Sequence, residues 1–155
     1  MGSFGYKNCF EGRYCIVREE VKNWLLKAYE DFKAAKFLLS LPEDEIPTSV
    51  ICFHCQQFVE KALKAFLVFH KVDFGRLHNL SVLKNLCAKI DKDFDKLEID
   101  KLNIYAVEVR YPEDFFMPSV EESKECYQLA IEVKRFIFDK LGVEEGEIKK
   151  WLKGK

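Results

Sequence analysis

Cys52, His54 and Cys55 place two thiols and an imidazole within four positions, in the run CFHCQQFVEKALKAF from Cys52 to Phe66. These are the donor types of a zinc site or of a dithiol redox centre. Structural zinc takes four ligands, however, and one C-x-x-C supplies two. No second cysteine pair answers it, and on a helix His54 faces a different side from at least one neighbouring cysteine. His70 and His78 are the only other histidines. A thioredoxin-type pair belongs beside a strand–helix–strand pattern, whereas this one follows the proline-flanked acidic loop SLPEDEIP. The thiols therefore read as packing residues of a core helix, and no metal or cofactor is expected.

The elements that carry these residues follow from the hydrophobic spacing. Residues 1–18 mix glycines, aromatics and Cys9 and Cys15 without periodicity and read as an irregular lead-in. Val21, Trp24, Leu25, Ala28, Phe32, Ala35, Leu38 and Leu39 then fall on one helix face. Pro42 and Pro47 break that helix, since neither can continue its hydrogen-bond ladder. A second helix is predicted from Thr48 or Ser49, either of which is a good cap, to about Lys71. Ile51, Cys55, Phe58, Ala62, Phe66 and Phe69 form its apolar stripe, with Gln57, Glu60, Lys61 and Lys64 on a wetter face.

A connector containing Gly75 leads to a short third helix through Leu80, Leu83, Leu86, Cys87 and Ile90. A fourth is expected over Leu97, Leu102, Tyr105, Ala106 and Val109, stopped at Tyr111 by Pro112. Ser119 and Glu122 make a Ser-x-x-Glu capping box, and Gly142 suits the other end of that helix. Residues 143–155 read as a charged tail. The fold predicted is all-α: an antiparallel four-helix up-and-down bundle over residues 19–142, with an additional short helix and no sheet. Trp24, Phe58, Ala62, Phe66, Ala106, Val133 and Ile137 are its expected core.

Composition narrows the function. The chain has 155 residues, and its net charge of −1 gives no bulk attraction for nucleic acid or acidic membranes. No apolar run approaches the ~20 residues of a membrane span, and the first residues lack a secretory core. A cytoplasmic protein is expected, with its six cysteines reduced and serving as small buried hydrophobes.

Four stretches together resemble the HEPN family, the helical domain named for nucleotide binding in higher eukaryotes and prokaryotes. They are Trp24, Ala28, Asp31 and Ala34 on the first helix, the run from Cys55 to Ala65, His78-Asn79-Leu80, and Tyr105 to Pro112 with Arg110. The similarity spans about Val21 to Leu141. It implies a helical bundle that forms homodimers, a cleft for a nucleotide or RNA, and a small nucleotidyltransferase-fold partner, as in toxin–antitoxin pairs.

Ribonuclease members of the family carry an arginine followed four to six residues later by a histidine. Arg110 matches the arginine, but YPEDFFMPS follows it and no histidine occurs after His78. Metal-free RNA cleavage needs a base for the 2′-hydroxyl and a cation for the phosphorane. Arg110 supplies the cation; the base is missing unless His78 or His54 comes in from another helix. The residues expected to bind ligand are Arg110, Tyr111, His78, Gln57, Lys61 and Tyr105, with Tyr111 and Tyr105 as stacking rings. The reading is a nucleotide- or RNA-binding module. A divergent metal-independent ribonuclease toxin using Arg110, or a scaffold without a ligand, are the alternatives.

Overall fold

Three long helices carry the fold: α1 (Glu19–Leu39), α2 (Thr48–Phe69) and α4 (Val120–Leu141). Two shorter ones, α3 (Leu80–Ile90) and α5 (Glu145–Lys153), complete the set. The computed structural model describes residues 8–9, 13–14, 18–106 and 116–154. Within the lead-in, β1 (Asn8–Cys9) pairs antiparallel with β2 (Arg13–Tyr14), two residues each, where no strand is expected from the sequence. The domain is otherwise helical, and no helix among the described residues is long and apolar enough to cross a membrane.

The helix ends obey local chemistry. Glu19 and Glu20 in the first turn of α1 and Lys36 in its last complement the helix dipole. Ser119 Oγ accepts from the Glu122 amide at 3.0 Å, and Glu122 reaches back to the Ser119 amide, closing the expected capping box on α4. Gly142, at φ 65°, ends the same helix. Its amide donates to the Asp139 carbonyl and the Val143 amide to that of Phe138, the double bond of a Schellman ending. The predicted cap of α2 does not form. Thr48 already lies inside the first turn, so the hydroxyls of Thr48 and Ser49 sit too late to cap it. Ser49 Oγ instead meets Met117 Sδ at 3.2 Å.

The fourth predicted helix also differs. Its described part is two 3₁₀ segments, Lys92–Lys96 and Asp100–Ala106, and Val109 lies outside the described residues. Ile99, Leu102 and Tyr105 recur every third residue and are all buried, which is the period of a 3₁₀ turn. The segment runs back along α3: Lys84 Nζ donates to the Leu97 carbonyl, Ser81 Oγ to Asp100, and the Leu80 amide to Asn103 Oδ1.

Helix α2 is the centre. Ile51, Cys55, Phe58, Val59, Ala62, Leu63, Phe66 and Leu67 are fully buried. Helix α1 lies antiparallel to it, with Phe32 on Phe58 at 5.4 Å between ring centroids and the Arg18 guanidinium on the Val68 carbonyl at the far end. Helix α4 runs in the same direction as α2, as the diagonal pair of a bundle does: Cys126 meets Cys52 at one end, and Phe136 reaches Phe66 through Phe94 at the other. Of the expected core, Phe58, Ala62, Phe66, Val133 and Ile137 are buried, while Trp24 and Ala106 are half-buried.

The charged tail folds as well. Ile148, Trp151 and Leu152 lie at helical spacing, giving α5 an apolar stripe that packs back on the bundle. Lys22 Nζ sits 5.3 Å from the Trp151 ring, and Lys134 of α4 pairs with Glu145 at 2.5 Å. Burial first, then the charge of Glu145, pushes the Tyr29 hydroxyl up to about 12.

Ser119→Ala should lower stability by about 1 kcal/mol, because it removes the side-chain acceptor of the Glu122 amide. Ser49→Ala should stay within about 0.5 kcal/mol. Urea denaturation midpoints of the two variants check the contrast.

Candidate functional site

Helix α2 bears a run of polar side chains, and most of it is sealed from solvent. Cys52, Gln56, Glu60 and Lys64 recur every four residues and form one stripe. All four are at most 4% exposed. A buried ammonium requires a counter-charge, and Lys64 finds it one turn away: its Nζ donates to Glu60 Oε1 at 2.9 Å. The same carboxylate accepts from His78 Nδ1 at 2.8 Å and from Gln56 Nε2 at 3.1 Å, and Gln57 Nε2 donates to Gln56 Oε1 at 2.7 Å. Burial alone pushes the Glu60 carboxyl up. The hydrogen bonds from Lys64, His78 and Gln56 and the Lys64 charge outweigh it, holding the group below its ordinary 4.5. Trp24 of α1 and Phe74 of the connector close over Lys64, with their ring centroids 5.5 and 5.3 Å from its Nζ.

A second carboxylate, Asp31 of α1, bridges two α2 side chains seven residues apart. Asp31 Oδ1 accepts from His54 Nδ1 at 2.7 Å, and Oδ2 accepts from Lys61 Nζ at 2.6 Å. Since an ionised carboxylate only accepts, His54 carries its proton on Nδ1 and Nε2 is the ring atom left to act. The His54 and Lys61 side chains are 28% and 26% exposed, against 10% for Asp31. Solvent therefore reaches His54 and Lys61 more than the carboxylate that holds them.

The thiols answer the question raised by the C-x-x-C. Cys52 and Cys55 are both fully buried. Cys52 lies beside Cys126 of α4, with the Tyr105 hydroxyl alongside. The neighbouring Cys126 sulfur first, then burial, hold the Cys52 thiol above its ordinary range. Burial likewise pushes up Cys55 and Cys87. Among the described residues no group of three or more His, Cys, Asp or Glu side chains is arranged to hold a metal ion.

The residues expected to bind a ligand are distributed accordingly. Gln57 and His78 meet at the Glu60 network, and Lys61 stands one turn along at Asp31. Tyr105 departs from expectation. It is 5% exposed, packed among the thiols and 6.4 Å from the Phe116 ring, because its place in the three-residue period turns it inward. Arg110 and Tyr111 lie outside the described residues. Asp31, Gln56, Glu60 and Lys64 went unassigned to the site. A Glu–Lys pair four apart in the most apolar helix, facing a tryptophan helix, was the available sign.

The HEPN domain family model matches residues 21–141. The chain belongs to the HEPN family. The polar stripe of α2 and the Asp31 bridge are thus features of a HEPN bundle. The chain is 32% identical over 144 positions to the Methanocaldococcus jannaschii protein named "Putative toxin MJ1304", a similarity covering 80% of this chain and 92% of that protein. No solved structure matches it.

Glu60→Leu should cost about 3–5 kcal/mol, since it leaves the Lys64 ammonium buried without a partner. Adding Lys64→Leu should recover most of that loss, and a double-mutant cycle in urea measures the coupling. The Glu60 carboxyl is below its ordinary value in the fold. Its contribution is complete above about pH 4.5 and is lost as pH falls through the folded value. Glu60→Gln should therefore flatten the acid limb of the stability profile.

Proposed function

We propose that this HEPN protein is a nucleotide- or RNA-binding module, acting as a homodimer and partnering a small nucleotidyltransferase-fold protein in a toxin–antitoxin-type pair. Family membership and a relative named as a toxin support the class. One observation carries the binding role. The sealed Glu60–Lys64 pair satisfies the interior, yet beside it Lys61 and His54 remain partly exposed on a single carboxylate, with N–H donors of Lys61 left over for a ligand. Gln57 and His78 border that surface. In this reading Arg110 forks onto phosphate and Tyr111 stacks on a base.

The exposed apolar side chains Val50, Ile104, Phe116 and Met117 support self-association. Ser49 touches Met117 and Tyr105 touches Phe116, so these residues gather near the start of α2.

A second reading, a metal-independent ribonuclease toxin, has one contact in its favour. Asp31 fixes His54 with Nε2 as the acceptor, the state a general base requires. No histidine follows Arg110 at the spacing of ribonuclease relatives.

Arg110→Ala should weaken nucleotide or RNA binding at least tenfold, with the circular dichroism spectrum unchanged, and His78→Ala should have a smaller effect. Calorimetric titration decides this; equal binding by Arg110→Ala contradicts it. Purified protein should leave RNA intact, and cleavage abolished by Arg110→Ala and by His54→Ala would favour the ribonuclease. Light scattering at micromolar concentration should give twice the 18.3 kDa chain mass.

A further inference from the structure

Glu20, Trp24, Lys27 and Lys61 line one concavity of about 320 Å³ between α1 and α2, together with Asn23. Its lining is mostly apolar, and the ring that supplies it is Trp24. That indole is braced from behind. Phe74 meets it edge-on at 5.9 Å, and Lys64 Nζ lies 5.5 Å from its centroid, itself locked to Glu60. A half-buried tryptophan so fixed presents a planar surface without losing side-chain entropy when a ligand arrives.

The charges beside it are available to an anion. Lys61 spends one of its three N–H donors on Asp31, so two remain. Lys27 pairs only loosely with Glu30, at 3.5 Å between side chains that are 71% and 63% exposed, a contact worth little in water. Glu20 lies seven residues before Lys27, about 10 Å away along the helix, and repels an anion from its own end. An aromatic floor with cations at one end and a carboxylate at the other suits a flat ring bearing a phosphate on one side. The volume is at the low end of the ~300–1,000 Å³ of small-molecule sites, enough for one nucleotide and not for a strand.

We propose that this concavity is a mononucleotide site, in which the base stacks on Trp24 and the phosphate is held by Lys27 and Lys61. The proposal rests on the nucleotide-binding reading above and names a pocket for it among the described residues.

Adenosine monophosphate is the probe, and Trp151→Phe makes Trp24 the sole tryptophan. Adenosine monophosphate should then quench the fluorescence saturably. By calorimetry on the otherwise native chain, Trp24→Leu should weaken binding about tenfold or more, the loss of one base–aromatic stack. Lys27→Ala, at an exposed position that cannot unfold the bundle, should weaken it several-fold. Inorganic phosphate alone should bind far more weakly. Unchanged affinity in both Trp24→Leu and Lys27→Ala would overturn the site, and if Arg110→Ala abolished that same binding, the general nucleotide-binding reading would survive. Phosphate binding as tightly as the nucleotide would overturn the stacking. A wild-type protein that binds no nucleotide at millimolar concentration would defeat both.

Discussion

A lysine ammonium sealed inside a helical bundle cannot exist without its carboxylate, and the Lys64–Glu60 pair is the constraint around which this domain is arranged. The two residues are neighbours on α2, so the charge is neutralised before any tertiary contact forms. The remaining lone pairs of Glu60 then recruit Gln56 from the same helix and His78 from the connector. Trp24 and Phe74 exclude water from the other side of Lys64. One pair thereby fixes where α1 and the chain before α3 must lie against α2. The Asp31 bridge to His54 and Lys61 sets the same register between α1 and α2 from the outer edge of that face.

Helix α2 is consequently two-faced without being amphipathic in the usual sense. One side is hydrocarbon, the other is polar but mostly dry, grading into solvent at Lys61 and His54. A dry polar face holds its side chains in fixed positions, which is what the proposed binding surface next to it needs. The cysteines belong to the dry region as well. Cys52 meets Cys126 of α4, and Cys55 is buried in the core, so the C-x-x-C contributes packing between helices.

Much of the bundle was legible from spacing alone. The apolar stripes of α1, α2 and α4, the Ser119 box and the Gly142 ending are short-range signals, and each is found where the sequence puts it. The misreadings share a cause. Leu97, Leu102 and Tyr105 fit a helical period loosely, but Ile99, Leu102 and Tyr105 fit a three-residue period better, and only tertiary packing chooses between them. Residues 143–155 look like a solvated tail until Ile148, Trp151 and Leu152 find a surface to cover. Glu60 and Lys64 read as solvent-facing because side-chain polarity ordinarily signals exposure; their mutual neutralisation, which permits burial, depends on Trp24, Phe74 and His78 from elsewhere in the chain. Of the polar cluster, the sequence alone singles out Gln57, Lys61 and His78 as ligand candidates, whereas the Asp31–His54 contact required the α1–α2 register.

The most direct test of α2's polar face as the ligand-facing side of this HEPN domain is a chemical-shift map. Isotope-labelled protein titrated with adenosine monophosphate should shift the backbone amides of Gln57, Lys61 and Lys64 and the indole N–H of Trp24. The exposed side of α4, at Glu132 and Arg135, should stay still. Shifts confined to α4, or to the separate concavity lined by Lys84, Lys96, Glu98 and Glu132, would contradict that assignment.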